Sequence, residues 1–229
     1  MKKYLFAAML IFSFTHVFSQ TEKGKKIIDG QFNVAGYDNY NNASFLSYDS
    51  SSFRFHIVPG LGYFIKDNFA IGANLNFEVD NTTIISVLPN NMPSLLTDKF
   101  NSINYGAGVF ARYYKKIIDS LFFVVNACIS YAHQTTSQEF SSNDPNYIPS
   151  SNDPAIQKIV GNTYSVAITP ELVYFLGPKL GISTNFSSIY YENLSSKNIS
   201  VPTINQIKSN NYGFNFNITT FYLGLQYHF

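Results

Sequence analysis

The chain has 229 residues, a formal net charge of +1 at pH 7, 17% aromatic residues and only 13% charged residues. Charged residues make up about a quarter of an average soluble domain, so this chain has little charge with which to cover a water-exposed surface. The near-neutral balance offers no basic excess for binding nucleic acid. The single cysteine, Cys128, excludes an intramolecular disulfide.

The first element is an N-terminal segment with the layout of a secretory signal peptide. Two lysines precede an apolar run from Tyr4 to Phe14, and the small residue Ser19 stands at the expected cleavage point. The run is shorter than the ~20 residues that a membrane-spanning helix needs, and no later run is long enough. The sequence therefore predicts a signal peptide at residues 1–19 and one mature domain at residues 20–229.

The remaining chain alternates with a period of two, which indicates strands with unlike faces. Between Phe69 and Val79, for example, apolar residues occupy every second position and mostly small or polar residues fill the others. Eight segments of this kind are predicted, at about Ile27–Gly36, Ser52–Ile65, Phe69–Asp80, Ser102–Tyr114, Ser120–Gln134, Ile159–Leu176, Lys179–Tyr191 and Asn211–Phe229.

The connections between these segments alternate in length. Three are short turns, and four are long polar loops at Tyr37–Ser51, Asn81–Asn101, Thr135–Lys158 and Glu192–Asn210. An even number of strands with short periplasmic turns and long outer loops is typical of bacterial outer-membrane barrels. The sequence thus predicts an all-β fold, a closed antiparallel up-and-down transmembrane β-barrel of about eight strands. Both termini are expected in the periplasm.

Aromatic residues are concentrated next to the short turns and again near the long loops. The first group includes the adjacent pairs Tyr63-Phe64, Tyr113-Tyr114, Phe122-Phe123 and Tyr174-Phe175. Two such bands are expected where a barrel crosses the two lipid–water boundaries. We therefore predict two aromatic girdles, with outer-membrane lipid as the partner of the barrel wall.

The C-terminal segment carries a family resemblance. Apolar residues occupy every second position up to a terminal phenylalanine: Phe221, Leu223, Leu225, Tyr227 and Phe229. This ending, with the signal peptide and the strand pattern, resembles the small OmpA/OmpX-like outer-membrane barrel superfamily. The Pro-x-Leu-x-Tyr-Phe segments at 59–64 and 170–175 and the expected mature start at Gln20 resemble the versions found in Bacteroidota. The resemblance implies that this ending addresses the chain to the barrel assembly machinery.

The inward face of the predicted barrel contains charged residues that need partners, because an unpaired buried charge is very unfavourable. The predicted lumen charge network consists of Arg54, His56, Glu78, Arg112 and Glu171. In the hairpin centred on Asp67, antiparallel pairing places His56 opposite Glu78, so we expect Glu78 to pair with Arg54 or His56. Arg112 and Glu171 are expected deeper, nearer the turns, where the two can pair across the lumen.

These features predict a structural or surface-interaction role, with an unknown extracellular partner reached through the long loops. A narrow transport barrel for small or apolar solutes is the alternative, although side chains just fill an eight-stranded barrel. A remote alternative is a lipid A-modifying enzyme using His133, Thr135 and Glu139, but sequence proximity does not establish a nucleophile with its base. We expect no enzymatic activity, no cofactor and no metal site.

Overall fold

The computed structural model describes residues 20–42, 47–88, 94–143, 156–185, 187–201, 206–216 and 222–229. The predicted signal peptide at 1–19 and Phe221 lie outside these described residues. The described strands are β1 (Lys26–Asn42), β2 (Ser47–Lys66), β3 (Phe69–Leu88), β4 (Ser94–Ile118), β5 (Leu121–Ser142), β6 (Ile156–Phe175), β7 (Leu180–Asn185), β8 (Ser187–Asn198), β9 (Ile207–Phe216) and β10 (Tyr222–His228). Within these ranges, no helix is long and apolar enough to cross a membrane.

The strands form a closed ring in which each strand pairs antiparallel with its neighbours. The ring runs from β1 through β6 in chain order, then to β7 and β10, and β10 closes it against β1. Beyond β7, the chain pairs as β8 with β6 and with β9. The predicted fold class is therefore confirmed: an all-β, closed, up-and-down barrel with a ring of eight strands.

The two ends of the barrel differ. At one end, called here the turn end, the strands are joined by short turns, and Lys26 of β1 pairs with Phe229 beyond β10. At the other end, the crown end, the strands extend much further than predicted. For example, β3 continues to Leu88 and β4 begins at Ser94.

The prediction of four long loops is therefore wrong for most of the residues assigned to them. Residues 81–88 of β3 pair with residues 94–101 of β4 in an unbroken register, although both stretches are rich in polar residues. On these strands, the outward side chains are apolar first and become polar towards the crown end, as at Lys99, Thr135 and Ser137. This change of the outward face accounts for the polar composition. Composition alone does not distinguish such strands from loops.

A change of phase separates β7 from β8. Glu171 of β6 lies opposite Asn185, whereas Ile168 lies opposite Ile189, so the register between β6 and its partner shifts by one residue. Pro170 lies at this point and cannot donate a backbone hydrogen bond to a neighbouring strand. As a result, even-numbered residues face outward in β7, and odd-numbered residues face outward in β8.

Candidate functional site in the barrel interior

The turn end of the lumen is closed by apolar side chains. The cluster, called here the apolar plug, consists of Ile27, Phe64, Ala70, Tyr114, Phe122, Val124, Val173 and Phe175, all buried. The ring centroids of Phe64 and Tyr114 lie 5.3 Å apart, and those of Phe122 and Phe175 also lie 5.3 Å apart in an edge-to-face arrangement. Such pairs stabilise a core beyond the effect of their buried area.

The plug corrects the prediction of an aromatic girdle at the turn end. In each adjacent aromatic pair, one ring points inward and is buried while its neighbour points outward. Tyr63 and Tyr113 are exposed, for example, whereas Phe64 and Tyr114 are enclosed. Successive side chains of a strand point to opposite faces, so two adjacent aromatic residues cannot both belong to an outer girdle. Only one member of each pair does so.

A layer of polar side chains lies next to the plug, on the side facing the crown end. This polar layer contains Asp29, Arg112, Glu171, Asn126 and Gln226. Arg112 Nη1 lies 2.6 Å from Asp29 Oδ2, and the two side chains are only 3% and 4% exposed. The guanidinium also stacks over the Phe110 ring at 4.2 Å. Arg112 therefore crosses the lumen and joins two walls of the barrel.

The Arg112 side chain reaches Asp29 because the strands between them carry glycines at inward positions, where no side chain fills the lumen. The Phe110 ring beneath the guanidinium lies against Gly72, where an added Cβ would collide with the ring and with the Leu61 carbonyl. Asp29 lies against Gly60 in the same manner. Glycine is required where side chains approach the backbone this closely. These two glycines provide the space in which the ion pair forms.

Glu171 is fully buried in the same layer. Its Oε1 accepts hydrogen bonds from Asn126 Nδ2 at 2.9 Å and from Gln31 Nε2 at 3.4 Å. Among the described residues, its Oε2 and Asp29 Oδ1 have no hydrogen-bond partner. Among the described residues, Arg112 thus forms its ion pair with Asp29 and not with Glu171, which interacts with the guanidinium only through longer-range electrostatics. Sequence reasoning placed Arg112 and Glu171 deep in the lumen, but it missed Asp29.

Further polar contacts connect the layer to the plug and to the N-terminal segment. Tyr114 donates its hydroxyl hydrogen to Gln226 Oε1 at 3.1 Å. His228 Nδ1 lies 2.8 Å from the backbone oxygen of Gln20, and its ring packs edge-on against Phe175. Gln20 Nε2 in turn donates to the Gly177 carbonyl. The segment before β1 therefore covers the turn end of the lumen.

The remaining predicted lumen residues form a separate cluster towards the crown end. The predicted register is confirmed, because His56 lies opposite Glu78. Glu78 lies 3.9 Å from Arg54 Nε and 3.8 Å from His56 Nδ1. Arg54 makes a shorter contact with Asp80, at 2.7 Å from Nη2 to Oδ2, which sequence reasoning did not include.

The energetic expectation for Arg54 and Glu78 needs correction. The Arg54 side chain is 53% exposed and that of Glu78 is 26% exposed, so water screens their interaction. An ion pair of this kind contributes no more than about 1 kcal/mol, less than a buried pair. A large loss of folding stability on removal of one partner is expected instead for the buried ion pair of Arg112 in the polar layer.

The residues considered for catalysis do not enter the lumen. His133 packs against the outward-facing Tyr105, with ring centroids 5.4 Å apart, and its Nδ1 lies 2.8 Å from Asn162 Oδ1. Thr135 and Glu139 share this outward face because they follow it at even spacing in β5. Within the described ranges, no group of three His, Cys, Asp or Glu side chains could hold a metal ion.

The described part of the C-terminal pattern faces outward. Leu223, Leu225, Tyr227 and Phe229 are exposed on the outer wall. The backbone amide of Lys26 donates to the Phe229 carbonyl at 2.8 Å, and the Phe229 amide donates to the Lys26 carbonyl at 3.0 Å. The last residue therefore takes part in closing the ring.

Comparison with known proteins gives weak similarities. No protein-family model matches the chain, and a search of curated proteins finds no match. The chain is similar to the outer membrane protein OprG from Pseudomonas aeruginosa, with 14% identity and a TM-score of 0.43 over 93% of this chain and 99% of that chain. It is also similar to a major outer membrane protein from Thermus thermophilus, with 11% identity and a TM-score of 0.42 over 91% of this chain and all of that chain. At these scores, neither alignment supports an argument about function.

Proposed function

We propose that the chain is an outer-membrane barrel with a structural or surface-interaction role and no open pore through its lumen. The observation that carries this proposal is the two-layer closure of the turn end. Phe64, Val124 and Val173 in the apolar plug and Glu171 and Gln226 in the polar layer each have no accessible surface. Side chains packed in this way support a lumen that is closed to water and ions at the turn end.

The outer wall supports the membrane placement. On β4, the outward positions from Tyr113 to Ile103 are apolar or alanine, and Asn101 and Lys99 follow them. Ten residue steps of roughly 3.3 Å, along a strand tilted by about 35–45°, give a band of about 25 Å. That height matches the apolar band of outer-membrane barrels. Lys26, Lys115 and Lys179 lie at the turn end, which we assign to the periplasmic side together with both termini.

The finer assignment to the OmpA/OmpX-like superfamily belongs to the same proposal, as does the absence of enzymatic activity. The superfamily assignment is supported by the eight-stranded ring and by the side chains buried in the lumen. The outward position of His133 and its hydrogen bond to Asn162 do not favour a catalytic role at the outer rim. Narrow transport is the competing function that the following measurement distinguishes.

Conductance in planar lipid bilayers tests the closure directly. We expect the refolded wild-type protein to show no stable single-channel events in salt solution, because both layers block the lumen at the turn end. Insertion is verified in parallel by protease protection in vesicles and by heat-modifiable mobility on unboiled gels. Reproducible channels from inserted wild-type protein would contradict the proposal and favour transport.

The terminal phenylalanine allows a test of the proposed interaction with the barrel assembly machinery. Phe229→Ser retains the two backbone hydrogen bonds to Lys26, whereas deletion of Phe229 removes them as well. If the side chain is a recognition signal, both variants should be exported normally and should give several-fold less heat-modifiable barrel in the outer-membrane fraction. The matched control is Tyr227→Phe, which keeps an aromatic ring in the pattern. A normal yield of Phe229→Ser with a poor yield of the deletion would leave only the ring-closing role.

A further inference from the structure

The outward surface at the crown end has an uneven distribution of charge. On β8 and β9, Lys197 and Lys208 face outward, and neither forms an ion pair with another described residue. In contrast, Lys99 of β4 lies opposite Glu139 of β5, and the outward positions of β1 and β2 include Asp38 and Asp49. Lys158 at the start of β6 also faces outward and forms no ion pair with another described residue. Its carbonyl accepts a hydrogen bond from the Ile199 amide, so Lys158 is the diagonal neighbour of Lys197. Within the described part of the crown, the outward positive patch therefore extends over β6, β8 and β9.

Lys197 and Lys208 are close enough to hold one anion. Ser195 lies directly opposite Lys208, so Lys197 is the diagonal neighbour of Lys208 across the β8–β9 pair. Diagonal neighbours of this kind have side chains that begin roughly 7–8 Å apart, within the reach of two lysines that converge on a phosphate. A cleft of about 540 Å³ opens beside them, with Asn162, Ser195, Lys197 and Gln206 in its lining.

Below the lysines lies a layer of amide and hydroxyl groups held in place by hydrogen bonds. Asn193 Nδ2 donates to Asn210 Oδ1 at 2.7 Å, and the Tyr191 hydroxyl donates to the same oxygen at 3.0 Å. At the level of the lysines themselves, Gln206 Nε2 donates at 2.5 Å to Oγ of Ser195, the residue opposite Lys208. Groups of this kind, presented on paired strands, match the hydroxyls of a sugar.

The next layers towards the turn end are aromatic and then apolar. Tyr164, Tyr191 and Tyr212 are exposed on the outer wall, with Tyr212 80% exposed. One step lower lie Ile168, Ile189 and Phe214, which are also exposed. From the crown downward, the wall therefore presents cations, hydrogen-bonding amides, tyrosine rings and an apolar surface in that order.

We propose that this wall of β6, β8 and β9 binds a phosphorylated glycolipid of the outer leaflet. Its phosphate would lie between Lys197 and Lys208, its sugar against Asn193 and Asn210, and its acyl chains against the apolar surface below. The order of the four layers along the barrel wall matches the order of groups in such a lipid. The inference rests on the outer-membrane placement proposed above, but it does not depend on whether the lumen conducts.

Binding can be measured with purified full-length protein in detergent micelles, using rough lipopolysaccharide as the probe and native mass spectrometry or thermophoresis as the readout. Each lysine near a charged lipid surface contributes about 1 kcal/mol, or about fivefold in affinity. We therefore expect the Lys197→Gln/Lys208→Gln variant to bind at least about tenfold more weakly. Lys99→Gln is the matched control, and its affinity should stay within about twofold of wild type, because its charge lies opposite Glu139.

The following comparisons of binding affinity decide the outcome. Weaker binding by the double variant, together with weaker wild-type binding of the dephosphorylated glycolipid, supports the site. Equal loss in Lys99→Gln, or unchanged binding by the double variant, overturns it. Equally tight binding of phosphatidylglycerol or of inorganic phosphate to the same lysines overturns the assignment to a glycolipid. Gel mobility of each sample shows whether the barrel is folded, and recovery of the protein in the outer-membrane fraction tests the placement in the membrane separately.

Discussion

Replacing Arg112 with methionine should lower the free energy of unfolding by roughly 3–5 kcal/mol, because the substitution leaves two buried carboxylates without a cation. Asp29 and Glu171 are both enclosed; Asp29 forms the ion pair with Arg112, and Glu171 interacts with the same guanidinium electrostatically. Methionine has a similar length, so the loss of packing is small by comparison. Urea unfolding in lipid vesicles, followed by tyrosine fluorescence or by loss of the folded gel band, measures the change.

The control for this prediction is Arg54→Met, which removes a charge of the same kind from the exposed cluster. It should change the free energy of unfolding by no more than about 1 kcal/mol. The double variant Arg112→Met/Asp29→Asn should regain part of the lost stability, because only one buried carboxylate then remains uncompensated. Equal unfolding midpoints for Arg112→Met and Arg54→Met would show that the polar layer is hydrated or protonated rather than dependent on its ion pair.

Opening the apolar plug should convert the closed barrel into a conducting one. In Phe64→Ala/Tyr114→Ala, two large rings that pack against each other are removed, and water can then reach the polar layer from both ends. Truncation of each buried ring is expected to lower the free energy of unfolding by about 3–5 kcal/mol. Single-channel recording at high salt should show small events that the wild-type protein lacks.

The matched control uses the outward neighbours of the same two residues. Tyr63→Ala/Tyr113→Ala removes two aromatic rings from the outer wall and leaves the plug intact, so it should remain silent in bilayers. If folded Phe64→Ala/Tyr114→Ala is also silent, the polar layer alone seals the lumen. If both variants conduct, the events reflect a loosened barrel wall, and the plug loses its assigned role.

The alternation of residue types predicted the ring of strands because one face of each strand contacts an apolar environment along most of its length. The turn centred on Asp67 predicted the His56–Glu78 register. The alternation rule failed at the turn end. There the lumen is itself apolar, so the pairs Ile27-Ile28, Tyr63-Phe64 and Tyr113-Tyr114 show no alternation. The inward aromatic members, Phe64 and Tyr114, were predicted as girdle residues, and no local signal in the sequence distinguishes them from the outward ones.

Asp29 was missed for a different reason. Hairpin register relates residues on neighbouring strands, and by that rule Asp29 lies opposite Gly60 whereas Arg112 lies opposite Ala70 and Asn126. The ion pair crosses the lumen and spans different rows of the barrel. Such a contact depends on the curvature of the wall and on the space left by Gly60 and Gly72. A search for glycines at inward positions would have identified where the lumen has space, although not that Asp29 and Arg112 fill it.

The extension of the strands at the crown end bears on the entropy of association with any extracellular partner. From Asn101 to Leu96, β4 continues beyond the apolar band for five residue steps with its backbone paired on both sides, which corresponds to roughly 16 Å of strand. A partner that docks on flexible loops must order them, at a cost of about 1–2 kcal/mol for each residue fixed. On this paired wall, that loss of freedom has already occurred during folding. Recognition at the crown can therefore be tight over a small contact area, and it would discriminate partners by shape rather than adapt to them.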